Sequence, residues 1–146
     1  MANALYPLWK EALMKEFSLQ KSLDQADDDN APYLTLVTIL PGAGYVYSAG
    51  HQFFSSITNT VGQPTKITGP TVNGTVFSGD MVVYENIVGT VIGALTIHRK
   101  TPGASNTWRL VLYEDTGIIG LPLTANGGNI IVKWNPLGIF SLGQPA

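Results

Sequence analysis

The chain has 146 residues, no cysteine and a formal charge of -2 at pH 7. That length suits one domain able to bury roughly 68 to 70% of its unfolded surface without a metal or disulfide, and the absence of cysteine removes disulfide frameworks, thiolate zinc sites and cysteine nucleophiles. The five basic residues after Asn30 (Lys66, Arg99, Lys100, Arg109 and Lys133) are scattered among four acidic ones, which is no footprint for a nucleic acid.

Asn3 is an N-cap candidate, and Leu5, Leu8, Trp9, Leu13 and Phe17 recur at three-to-four spacing, predicting an amphipathic helix over residues 4–17. Pro7 falls in its first turn, where a missing N–H breaks no intrahelical bond. Glu11 and Lys15 stand at the favourable i,i+4 order on the polar face. Residues 19–32 contain Asp24 and the run Asp27, Asp28, Asp29, whose mutual repulsion predicts a surface connector. The run lacks the glycine and distal glutamate of a calcium loop. Residues 1–30 therefore read as a helical arm with an acidic connector, and residues 31–146 as a β-rich body. The arm and connector carry nine of the eighteen charged side chains, and the much longer body carries the other nine. Ordinary domains average about 25% charged residues, so a body this poor in charge is expected to share its surface with neighbours.

From Tyr33 the period changes, and residues 33–40 read as a strand of branched side chains ended by Pro41 and Gly42. Gly42-Ala43-Gly44 is a turn; as a lone G-x-G without a third glycine it predicts no dinucleotide cofactor. Residues 51–57 suggest a short helix with Phe53, Phe54 and Ile57 facing inward. Strand-like segments follow at 64–68, 72–77, 81–86, 90–99, 107–113, 129–134 and 139–142, punctuated by Gly, Pro and Asn. Pro102-Gly103 is suited to closing a hairpin, and Asn126-Gly127-Gly128 to a tight reversal. Many short strands with close-set turns predict an all-β fold, an antiparallel β-sandwich or jelly-roll-like barrel preceded by the amphipathic helix. Alternation around Trp108, Leu110 and Leu112 and around Ile130, Val132 and Trp134 leaves both faces largely apolar, so the outer face needs covering by the helix or another subunit.

Residues suited to catalysis are few. His51 and His98 have none of the spacings that hold zinc, and no metal site is expected. Glu85, Glu114 and Asp115 are acids, but Glu114 and Asp115 are adjacent on a strand end and point to opposite faces, unlike a paired acid and base. No G-x-S-x-G elbow or phosphate-binding loop occurs, and Asn73-Gly74-Thr75 reads as a turn. The expectation is a protein that is not an enzyme. Tyr6, Tyr33, Tyr45, Tyr47, Tyr84 and Tyr113 with Trp9, Trp108 and Trp134 either line a sugar platform or alternate into the core or an oligomer interface. The longest apolar stretch, residues 87–97, is far short of the roughly 20 residues that span a bilayer. Lys10, Glu11, Lys15 and Glu16 interrupt the apolar pattern a signal peptide requires. A soluble, intracellularly made protein with no membrane or nucleic-acid partner is expected.

Two ends of the sequence carry a resemblance. Met1-Ala2-Asn3-Ala4-Leu5-Tyr6 leads into a short amphipathic helix, an acidic connector and a strand. Near the other end come Thr116-Gly117, a Gly120-Leu121-Pro122 turn, the Asn126-Gly127-Gly128 reversal, a strand ending in Trp134, and Ile139-Phe140-Ser141-Leu142, with Gly79-Asp80 between them. This order resembles a family of small structural proteins from tailed bacteriophages and prophages, although Pro7-Leu8-Trp9 stands where members usually carry a charged stretch. The resemblance implies a virion protein, a capsid decoration or cement protein made in the host cytoplasm and placed on the outer surface of the capsid. Its partners would be the major capsid protein and further copies of itself, as a trimer or dimer. Docking is expected through Leu5, Leu8, Trp9, Leu13 and Phe17. The alternatives are a tail, baseplate or head-fibre component and, third, a glycan-binding module.

Overall fold

A computed structural model describes residues 3–15, 23, 30–38, 44–115 and 123–141. The branched residues of β2 (Pro32–Val37) and β8 (Ala94–Arg99) make the centre of an antiparallel five-stranded sheet. β8 pairs with β2 from Arg99 opposite Pro32 to Ala94 opposite Val37. Beyond β8 lies β9 (Arg109–Glu114), then β1 (Ala4–Leu5); beyond β2 lies β3 (Thr60–Lys66). Every residue of β8 is buried, because the sheet is covered on both faces. Thr35, Thr96 and Tyr113 lie across one another on one face, and Leu34, Ile97 and Leu112 on the other.

Seven further short strands form three smaller antiparallel ladders. β4 (Thr71–Asn73), β5 (Val76–Ser78) and β12 (Phe140–Ser141) form one, β6 (Val82–Tyr84) and β11 (Ile130–Val132) the second, and β7 (Val88–Ile92) and β10 (Leu123–Asn126) the third. The class is all-β and antiparallel, as the sequence implies; the ladders, of five, three, two and two strands, do not by themselves define a sandwich or barrel. Tyr84 ties β6 to the main sheet. The pairing of β2 with β3 slips between Leu34 and Leu36, and there the Tyr84 hydroxyl donates to the Leu34 carbonyl at 2.6 Å. The bond thus fastens β6 to the main sheet at the point where the ladder is irregular. One hydrophobic core runs through the chain, from Tyr6, Trp9 and Leu23 in the arm and connector to Phe77, Ile97, Leu112 and Ile139 in the body.

Several boundaries differ from the sequence expectations for identifiable reasons. The helix, α1, runs over Pro7–Lys15 and not from residue 4. Ala4 and Leu5 instead pair with Tyr113 and Leu112, and the Tyr6 N–H donates to the Val111 carbonyl at 3.0 Å. Pro7 is consequently the first helical residue, where its fixed φ is already helical. Asn3 does not cap the helix; its Oδ1 accepts the Asp115 N–H at 2.9 Å. Residues 16 and 17 of the expected helix and the Asp27–Asp29 run lie outside the described residues. The segment 72–77 is a hairpin bent at Gly74, whose φ of 62° is one that L side chains rarely adopt. The segment 90–99 divides at Gly93 into strands of two different sheets. Residues 51–57 contain only a 3-10 turn at Phe54–Ser56.

Candidate functional site

The residues expected to bind a partner fall into three groups. Trp9 is only 3% exposed and meets Phe140 edge-on, with ring centroids 5.8 Å apart. It anchors α1 to its own chain and is not offered to another molecule, which corrects its place in the expected docking face. Leu5 and Leu8 are half-buried, with Leu5 packed against the core. The Leu13 side chain and Phe17 lie outside the described residues. The helical spacing of Leu5, Leu8 and Trp9 fitted either an outward or an inward face, and with Ala4 and Leu5 paired to β9 the Trp9 ring is buried.

A different apolar surface is exposed. In the ladder of β6 and β11, Val82, Tyr84, Ile130 and Val132 are buried, while Val83 and Ile131 stand directly opposite each other on the outer face, 41% and 52% exposed. Met81 and Leu137 are more exposed still. The alternation that made both faces of 130–134 apolar is therefore real, and its outer rung is uncovered within this chain.

The catalytic candidates are separated by the fold. Glu114 lies opposite Leu95 at the margin of a cavity of about 450 Å³ lined also by Ile131, Val132, Trp134 and Ile139. Burial pushes its carboxyl up to about 7, but among the described residues no second carboxylate lines that cavity. Asp115 accepts from the Tyr113 hydroxyl at 2.9 Å, and Glu85 is exposed. His51 joins a chain of hydroxyls: its Nδ1 lies 2.7 Å from the Tyr45 hydroxyl, itself 2.8 Å from that of Tyr6. Burial raises Tyr45 to about 12 and Tyr6 further, so neither phenol is a base near neutral pH. Among the described residues, no group of three or more His, Cys, Asp and Glu is placed to hold a metal.

His98 is in the most unusual environment. Antiparallel register sets Tyr33 opposite it, with ring centroids 5.8 Å apart. Trp108 stacks nearly parallel on its other side at 5.4 Å, and Phe54 approaches to 4.3 Å. The indole is fixed in place by its N–H, which donates to the carbonyls of Thr101 at 3.0 Å and Gly103 at 3.2 Å. The Lys100 ammonium lies over the Tyr33 and Trp108 rings, 5.4 and 5.7 Å from their centroids. His98 is fully buried, and neither ring nitrogen has a hydrogen-bond partner. Burial, and then the charge of Lys100, lowers its pKa to about 3, so the imidazole is neutral. With Gln63 and Pro64 these residues line a cavity of about 220 Å³.

The site belongs to an all-β antiparallel protein, and among the described residues Glu85, Glu114 and Asp115 are not brought together around one cavity. No family model, curated protein or solved structure matches the chain. Among the described residues no helix is long and apolar enough to cross a membrane.

Proposed function

We propose that this protein is a non-catalytic structural component of a tailed-phage virion, a capsid decoration or cement protein that binds the lattice of the major capsid protein from outside and associates with copies of itself. The resemblance at the two ends of the sequence supports the virion setting. The observation that carries the binding role is the uncovered Val83–Ile131 rung beside Met81, in a body holding only nine charged residues. Apolar side chains aligned on a rigid ladder lose water contact without reordering the backbone, which favours a broad interface.

The test replaces Val83 and Ile131 together with Asp. Each lost side-chain burial is worth roughly 1.5 to 3 kcal/mol, so occupancy on purified heads is expected to weaken about a hundredfold or more. Circular dichroism and melting of the free protein are expected to stay unchanged, since both positions are exposed. Full occupancy by the double variant would overturn the role of this face. Immunogold labelling of intact particles tests the location, and label on the tail, baseplate or head fibres would replace the decoration reading by that of a component there.

A further inference from the structure

We propose that the cavity beside Glu114 binds a small organic amine, a primary ammonium carried on an apolar body, independently of any role in a virion. Its volume, about 450 Å³, lies within the roughly 300 to 1,000 Å³ of sites that take small molecules. Strand register explains how a carboxyl comes to be there. Glu114 ends β9 opposite Leu95, two residues beyond Leu112, and so shares the sheet face of Leu34, Leu95, Ile97 and Leu112, all buried. Glu114 itself is only half-buried. Its carboxyl oxygens stay open to solvent and, among the described residues, have no hydrogen-bond or ion-pair partner. Ile131, Asn135 and Pro136, which also line the cavity, are exposed, so it is entered from outside.

The other polar side chains of the lining are engaged elsewhere. The Trp134 indole N–H donates to the Asp80 carbonyl at 3.0 Å, which fixes the ring and leaves it an apolar wall. Asn135 Oδ1 accepts the Leu137 N–H at 2.8 Å. Lys133 is exposed and makes no ion pair with Glu114. What remains is one uncommitted carboxyl among Ile131, Val132, Trp134 and Ile139. Burial raises that carboxyl to about 7, and a cation brought into the cavity offsets the cost by pairing with the charged form. An ammonium supplies the cation and donates its N–H groups to the carboxylate oxygens, while an apolar body covers the rest of the lining. A metal ion needs more ligands than this acid gives, and among the described residues no group of three His, Cys, Asp and Glu is placed to supply them.

Calorimetric titration of the whole chain with phenethylamine, phenethyl alcohol and methylamine tests this at about pH 8, where Glu114 is mostly ionised. Phenethylamine is expected to bind saturably and at least about tenfold tighter than the alcohol, the increment of one charge-assisted hydrogen bond, while methylamine, a cation without the apolar body, does not saturate. Glu114→Gln is expected to bring phenethylamine down to the level of the alcohol and to leave the alcohol unchanged, with melting curves confirming that the variant folds. Absence of saturable phenethylamine binding to the unaltered protein would overturn the proposal, whatever the variant does. So would alcohol binding as tightly as the amine, which makes the cavity an apolar site only, and methylamine binding as tightly as phenethylamine, which makes it a cation site only. A preference for the amine that survives Glu114→Gln would overturn it as well.

Discussion

Acidification of the medium strikes this fold first at His98. In the unfolded chain its imidazole takes up a proton near pH 6.5, but in the fold burial among Tyr33, Phe54 and Trp108, with Lys100 nearby, delays protonation to about pH 3. A folded pKa below the unfolded one means that the stability is fully present above pH 6.5 and is lost as pH falls toward 3. The charged groups adjoining the ring in sequence or across the ladder are Arg99, Lys100 and Arg109, all cations, so none shelters an imidazolium. The gap from 6.5 to about 3, at about 1.4 kcal/mol per pH unit, sets a ceiling of about 5 kcal/mol, a large share of the 5 to 15 kcal/mol typical of a domain. In a Glu114→Gln background, which removes an opposing titration between pH 4.5 and about 7, urea melts from pH 7 to pH 4 are expected to show stability falling with this slope. His98→Phe keeps a ring between Tyr33 and Trp108 and has nothing to protonate, so its melts are expected to lose that slope while matching or exceeding the unaltered protein at pH 7. An identical acid slope in His98→Phe would refute the reasoning.

Glu114 acts with the opposite sign: its carboxyl is raised from 4.5 to about 7 by burial, so stability is lost as pH rises through that interval, and Glu114→Gln is expected to remove this loss in melts between pH 4 and pH 8. Trp9→Ala is expected to cost about 3 to 5 kcal/mol in urea unfolding, as for a large core aromatic, whereas Leu8→Ala, on the half-buried side of the same helix, costs about 1 kcal/mol. Gly138 has a φ of 113°, and an added Cβ would run into Val76 Cγ1 and lie 3.1 Å from the Phe77 carbonyl oxygen. Gly138→Ala is accordingly expected to lose about 1 to 3 kcal/mol in the same assay.

The fold class was legible because its signals are local. Branched runs at 33–37 and 94–99, and the Pro102-Gly103 turn between two strands that do pair, need only neighbours in sequence to be read. Gly79-Asp80 was visible as a motif but not as a mechanism. Gly79 leaves no room for a Cβ beside Ile67, while Asp80 takes the Trp134 indole N–H on its carbonyl at 3.0 Å and donates its own N–H to Thr68 at 2.9 Å. What failed was anything decided by partners far along the chain. Leu5 fits a helical stripe as well as it fits a strand, and only the edge of β9 decides between them. The His98 cage was equally hidden, since Tyr33, His98 and Trp108 come together through strand register, and no spacing within the sequence encodes that. β10 escaped notice because Leu123–Asn126 has one buried residue and takes its ladder from β7.

The pairing of β1 with β9 also orders events during synthesis. The Asn3 side chain is bonded to a backbone group 112 residues later, and at about 5 to 20 residues per second the ribosome needs roughly 5 to 20 seconds to deliver it. Through that interval Tyr6 and Trp9 emerge without the partners that later bury them. A nascent chain in this state is a target for holding chaperones, and two chains on one message could exchange their first strands before either completes its own.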